Sequence, residues 1–300
     1  MDRRFLIFGT FTLLALGMVF APLKDLMSSA ARSDYYSHIV LIPLVSAYLL
    51  FQNREAIFSK PGPVYLPALA LLACGTALYS FGYTQGSNLN QNHYASLLTF
   101  SAVVFWVGGF VLLYGIRGFQ KASFPILFLV FMIPIPSLIL DKIIYALQVG
   151  STEATEMLFA LTGVPFQRSG FVFQLPGISI EVAEQCSGIR SSLALFITSI
   201  LAGHFFLDRF WKKFVLALIV FPVTVFKNGI RIMTLSLLGA YMDERWLTES
   251  SLHHSGGFVF FIPALGLLGL ALWALRKKEY KGTKGEVRGA ENETPTQGAN

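Results

Sequence analysis

Gly257-Phe-Val-Phe-Phe-Ile-Pro-Ala-Leu-Gly-Leu-Leu-Gly-Leu-Ala-Leu-Trp-Ala-Leu275 runs for nineteen residues without an ionisable side chain. A helix of that length rises ~28 Å, which matches the ~30 Å hydrocarbon core of a bilayer. Working outward, Arg276, Lys277, Lys278 and Lys281 close it on one side, and His253-His254-Ser255-Gly256 precede it on the other. Seven more apolar blocks lie upstream, at 5–21, 38–51, 64–83, 94–116, 123–140, 187–206 and 214–241. The second is short. The fifth holds Pro125, Pro134 and Pro136, each lacking the backbone donor a helix interior needs. The chain of 300 residues is 54% hydrophobic and only 13% charged, against about 25% charged in soluble domains, and its mean hydropathy is +0.59. The expectation is an all-α, polytopic integral membrane protein of about eight transmembrane helices, a single membrane-embedded domain over 1–275 followed by a disordered basic tail at 276–300.

The net charge of +6 sits mostly in short loops and the tail, which reads as membrane topology and not as nucleic-acid binding. With the N-terminus inside, Arg54 and Lys60, then Arg117 and Lys121, then Arg209, Lys212 and Lys213 fall on the cytoplasmic side together with the tail. The opposite loops are poorer in Lys and Arg: 84–93 has neither, and Asp243, Glu244 and Glu249 surround Arg245. This predicts N-in and C-in. The first block lacks a small-residue cleavage site and is expected to remain as a membrane helix.

Residues 141–185 form the longest external stretch. Its first part, 141–161, places Ile144, Leu147, Met157 and Leu161 among polar residues and predicts a helix lying at the interface. From Phe171 to Val182 the sequence alternates about Pro176-Gly177 and predicts a β-hairpin, which belongs outside the hydrocarbon where its edges can be hydrated. The two cysteines, Cys74 and Cys186, lie in unlike surroundings with no zinc-type spacing. Cys74, inside an apolar block, reads as a small core residue. No metal and no cofactor is expected.

Three polar clusters interrupt apolar sequence. Glu184-Gln185-Cys186-Ser187-Gly188-Ile189-Arg190 opens the sixth block. A thiol at a helix N-terminus feels the positive end of the macrodipole, which favours thiolate. Arg190, four residues on, adds a cation, and Gly188 lets another backbone approach closely. An inert cysteine in a polar cap remains the plain alternative. Lys227-Asn228-Gly229-Ile230-Arg231 lies late in the seventh block. Arg231 is ~27 Å along the helix from Lys213, at a depth similar to Cys186. It either snorkels to headgroups or, sharing a face with Asn228, lines a site. His253 and His254 stand at the same face. A cysteine peptidase needs a thiolate, an acid/base and an oxyanion stabiliser, roles that Cys186, a histidine and Arg231 can fill.

Cys186-Ser187-Gly188-Ile189-Arg190, Asn228-Gly229-Ile230-Arg231 and His253-His254, in that order, resemble the exosortase and archaeosortase family. The resemblance also takes in Phe-Met-Ile-Pro-Ile-Pro at 131–136 and the hairpin, and spans roughly 35–275. It implies a membrane cysteine peptidase or transpeptidase whose substrates are exported proteins ending in a short motif such as Pro-Glu-Pro, a membrane helix and a basic cluster. By that likeness Cys186 is the nucleophile, His253 or His254 the acid/base, and Arg231 the oxyanion partner, with Glu184, Ser187, Gly188, Arg190 and Asn228 binding substrate or supporting them. Histidine at the third position implies a bacterial member, a cell inner membrane and a periplasmic site in an exopolysaccharide setting. Hydrolysis, or transfer to a glycan or lipid acceptor, stays open. The competing readings are a membrane transferase of envelope polysaccharide assembly in which Arg231 and the histidines bind lipid phosphate, a flippase, and a serine enzyme using Ser187.

Overall fold

The computed structural model describes residues 3–29, 36, 38–58, 64–242 and 259–277. Ten α-helices are described: α1 Arg3–Ser29, α2 Leu41–Gln52, α3 Arg54–Phe58, α4 Tyr65–Thr84, α5 Gln91–Lys121, α6 Ser123–Phe128, α7 Ser137–Thr162, α8 Ile189–Phe206, α9 Phe210–Tyr241 and α10 Val259–Lys277. Six helices among the described residues are long and apolar enough to cross a membrane, or seven if the bent pair Ser123–Met132 and Ser137–Thr162 counts as one span. The protein is therefore a polytopic, all-α membrane protein. The two remaining blocks account for the difference from eight: α2 has only 12 residues, and the fifth block is broken.

The break falls earlier than the sequence suggests. A 3-10 turn at Leu129–Met132 follows α6, and α7 starts at Ser137 instead of near 141. Pro134 and Pro136 cannot donate to the preceding turn, so the chain leaves helical geometry between them. Ser96 Oγ of α5 donates to the Pro134 carbonyl at 2.7 Å, supplying a partner that the broken helix cannot.

The chain divides into two compact units, Met1–Asp141 and Lys142–Asn300. In the first, α5 is the central helix, with Phe110 fully buried among Phe8, Trp106 and Tyr114 rings 5.1–5.8 Å away. Cys74 is exposed on α4 and is not the core residue that its apolar neighbours suggest. In a bilayer protein the outer surface is apolar too.

In the second unit, three strands follow α7: β1 Gln167–Ser169, β2 Val172–Leu175 and β3 Ile178–Glu181, antiparallel in the order β1-β2-β3. Leu175 pairs with Ile178, so Pro176-Gly177 forms the predicted two-residue turn, with Gly177 at φ 86°. Phe173 and Leu175 on one face of β2 are buried against Phe159 of α7, Val182 and Ile232 of α9. Leu195, Leu207, Leu216, Val220, Ala264 and Leu268 join α8, α9 and α10 in a second core. The Lys212 ammonium, counted as a loop charge by sequence, is buried and donates to the Leu275 carbonyl in the last turn of α10 at 2.9 Å. A cation there complements the negative end of the helix.

Along α7 the burial is not that of an interfacial helix. Ile144 and Leu147 are buried, but Met157 and Leu161 are exposed, while Gln148, Ser151, Thr152 and Thr155 are buried. Those polar residues, spaced i, i+3, i+4 and i+7, form one face of the helix. Thr152 and Thr155 hydroxyls donate to Gln148 and Ser151 carbonyls at 2.8 and 2.7 Å, so both are satisfied locally and Gln148 and Ser151 are left to reach outward.

Candidate functional site

Cys186 lies not in α8 but in a single 3-10 turn, Glu184–Cys186, just before it. Its N–H donates to the Ala183 carbonyl at 2.8 Å. Ser187 follows in right-handed helical geometry, and Gly188 then turns left-handed, at φ 77° and ψ 16°, as the N-cap of α8. This reversal removes the helix face on which Cys186 and Arg190 were expected to be neighbours. Arg190 is exposed in the first turn of α8, as is Glu184 beside the thiol residue. Cys186 itself is half-buried and is a free thiol. Ser187, the alternative nucleophile, is fully buried, and its hydroxyl has no hydrogen-bond partner among the described residues.

Two helices hold this turn. Asn228 of α9 is fully buried; its Nδ2 donates to the Cys186 carbonyl at 2.7 Å and to Ser151 Oγ of α7 at 2.9 Å. One amide thus ties the cysteine turn, α7 and α9 together. Gly188 is required twice over: an L side chain is strained at its φ, and an added Cβ would sit 3.0 Å from Asn228 Oδ1. The close approach is made by a side chain and not by the backbone anticipated from sequence. One residue beyond Asn228, a Cβ on Gly229 would come within 2.8 Å of the Ala154 Cβ. The absence of that atom lets α9 lie against α7 closely enough for the Asn228–Ser151 bond to form. Gln148 Nε2 donates to the Val182 carbonyl at 2.7 Å, which anchors the strand end leading into the cysteine turn.

Arg231 lies three residues after Asn228 on α9, with its Nε buried. Lys227 is buried and donates to Ser191 Oγ in the first turn of α8. The structure therefore brings together Cys186, Gly188 and Asn228 among the residues anticipated from sequence, and Arg231 shares α9 with Asn228. His253 and His254 lie outside the described residues. Sequence reasoning missed Gln148, Ser151 and the Lys227–Ser191 pair. The available signal was the polar stripe on α7, which stands out because its spacing is helical. Outside the membrane helices, Arg168 of β1 is paired with Glu153 and Glu156, and these hydrogen bonds hold its guanidinium above the ordinary arginine range.

The cysteine turn and the loop that carries Arg209 lie at opposite ends of α8. The 18 residues of α8 separate Cys186 from the loop that carries Arg209, a rise of ~27 Å. α10 ends beside Lys212, so its start at Val259 lies, by helix length, toward the cysteine end.

Fold and site define a polytopic membrane protein that presents a half-buried thiol ahead of a membrane helix. The family model for transmembrane exosortases matches residues 27–270, and the chain belongs to that family. It is a family of membrane cysteine-type transpeptidases acting on sorting signals of exported proteins. No curated protein and no solved structure matches the chain.

Proposed function

We propose that the protein cleaves C-terminal sorting signals through a thioester on Cys186, at the periplasmic face of a cell inner membrane. The Cys186 sulfur, as thiolate, attacks the scissile carbonyl carbon, and Arg231 stabilises the oxyanion that forms. The C–N bond then breaks, and the leaving amine takes a proton from His253 or His254. The same histidine next removes a proton from water or from an acceptor amine, which attacks the thioester and frees the thiolate. Glu184 and Arg190, both exposed beside the turn, contact the incoming chain.

The observation that carries this reading is the 2.7 Å bond from Asn228 to the Cys186 carbonyl. It joins the two sequence motifs in space and sets Arg231 one helical turn from the anchor of the thiol. Separation from the basic end by about a membrane thickness supports a non-cytoplasmic site, since Lys and Arg mark the inner side. Only four residues of sequence separate His254 from Val259 at the start of α10. Substrates of this class carry their own membrane helix, which packs beside the enzyme in the lipid.

The test is co-expression of a reporter carrying the motif, a membrane helix and a basic cluster with wild type, Cys186→Ala, Cys186→Ser, Arg231→Ala, His253→Ala and His254→Ala. Wild type shortens the reporter. Both cysteine variants, Arg231→Ala and one of the histidine variants leave it intact. Processing that persists in Cys186→Ala refutes the thiol mechanism and favours the transferase reading, in which Cys186 is dispensable.

A further inference from the structure

Lys227 is a charged residue of its cluster that the mechanism above leaves without a role. It is 6% exposed within a helix long and apolar enough to span the bilayer, where an ammonium is costly to retain. Its Nζ donates to Ser191 Oγ, and the Ser191 hydroxyl donates in turn to the Gly188 carbonyl at 2.9 Å. Gly188 also accepts from the Ser192 hydroxyl at 2.8 Å and the Ser192 N–H at 3.0 Å. The Lys227 link differs from these because it crosses from α9 and because a cation strengthens the Ser191 bond. The neighbouring Asn228 grips the Cys186 carbonyl. Two consecutive residues of α9 thus act on the peptide planes that flank the Ser187–Gly188 pair, Asn228 directly and Lys227 through Ser191, which restrains pivoting about Gly188, the residue with the least intrinsic resistance to rotation.

We infer that Lys227, acting through Ser191, is a positioning residue that fixes the Cys186–Gly188 turn for attack. The inference rests on the thiol mechanism proposed above. A misplaced nucleophile costs rate much more than binding. Lys227→Met and Ser191→Ala should each lower kcat for reporter cleavage roughly tenfold with KM unchanged. Because both break one relay, the double variant should be no slower than the slower single. Ser191→Thr, which keeps the hydroxyl, should recover most of the lost rate. Purified protein in lipid nanodiscs serves all four variants, and thermal midpoints are measured alongside.

A double variant whose loss is the product of the two single losses overturns the relay. So does a Ser191→Ala enzyme with wild-type kcat, or a loss confined to KM. If Lys227→Met does not accumulate, the Ser191→Ala and Ser191→Thr pair decides the matter alone. Cys186→Ala run in parallel separates the two failures: if it is active, the thiol mechanism falls, whereas an inactive Cys186→Ala beside normal Ser191→Ala removes only the role of Lys227.

Discussion

Replacing Asn228 by alanine removes two hydrogen bonds at once, to Cys186 O at 2.7 Å and to Ser151 Oγ at 2.9 Å. Interhelical hydrogen bonds in membrane proteins average ~0.6 kcal/mol, with a maximum near 1.7, while leaving a buried carbonyl unpaired costs about 1–3 kcal/mol. Among the described residues the Cys186 carbonyl loses its side-chain donor from α9, so about 2 kcal/mol is a reasonable central value. If that energy holds the turn in its reactive geometry, cleavage slows by roughly 30-fold at 1.36 kcal/mol per decade. Asn228→Asp sharpens the test. It preserves volume but replaces the donor with a second acceptor facing the Cys186 carbonyl, so it should be at least as slow as alanine. The assay is single-turnover cleavage of the tripartite reporter in nanodiscs, with accessibility of Cys186 to maleimide measured alongside. Asn228→Ala cleaving within twofold of wild type, or Asn228→Asp outperforming Asn228→Ala, would refute the claim that this amide positions the nucleophile.

Gly188→Ala must hold an L residue at φ 77° with its Cβ 3.0 Å from Asn228 Oδ1. The backbone cost alone is about 1–2 kcal/mol, so cleavage should fall at least tenfold and the thermal midpoint should drop; scanning fluorimetry and the same reporter assay check both. Ser187→Ala removes a buried hydroxyl that has no hydrogen-bond partner among the described residues. The change should be neutral to slightly stabilising and should leave cleavage within about twofold of wild type, whereas a serine nucleophile would lose all activity.

The membrane class was legible because nothing but lipid accommodates repeated uncharged blocks of about twenty residues. The hairpin was legible because Pro176-Gly177 is turn chemistry between alternating strands. The motifs around Cys186, Asn228 and Arg231 stood out since polar residues in apolar helices need a reason to be there. Other features were beyond reach of the chain read alone. Met157 and Leu161 point outward while Ser151 and Thr155 face inward, and Cys74 is exposed. In water, apolar periodicity marks the core; in a bilayer, lipid and core are equally apolar, so periodicity no longer says which face is inside. The sequence by itself therefore determined that the chain is a multi-pass membrane protein and which polar residues stand out within its apolar segments. Only the tertiary structure decided that Ser187 is buried, that α7 supplies Gln148 and Ser151, and that Lys227 reaches Ser191 while Asn228 reaches the Cys186 carbonyl. The last two depend on hydrogen bonds between residues far apart in the chain, and the first on how the helices pack; a polar side chain in a membrane helix shows its partner only when the helices are packed.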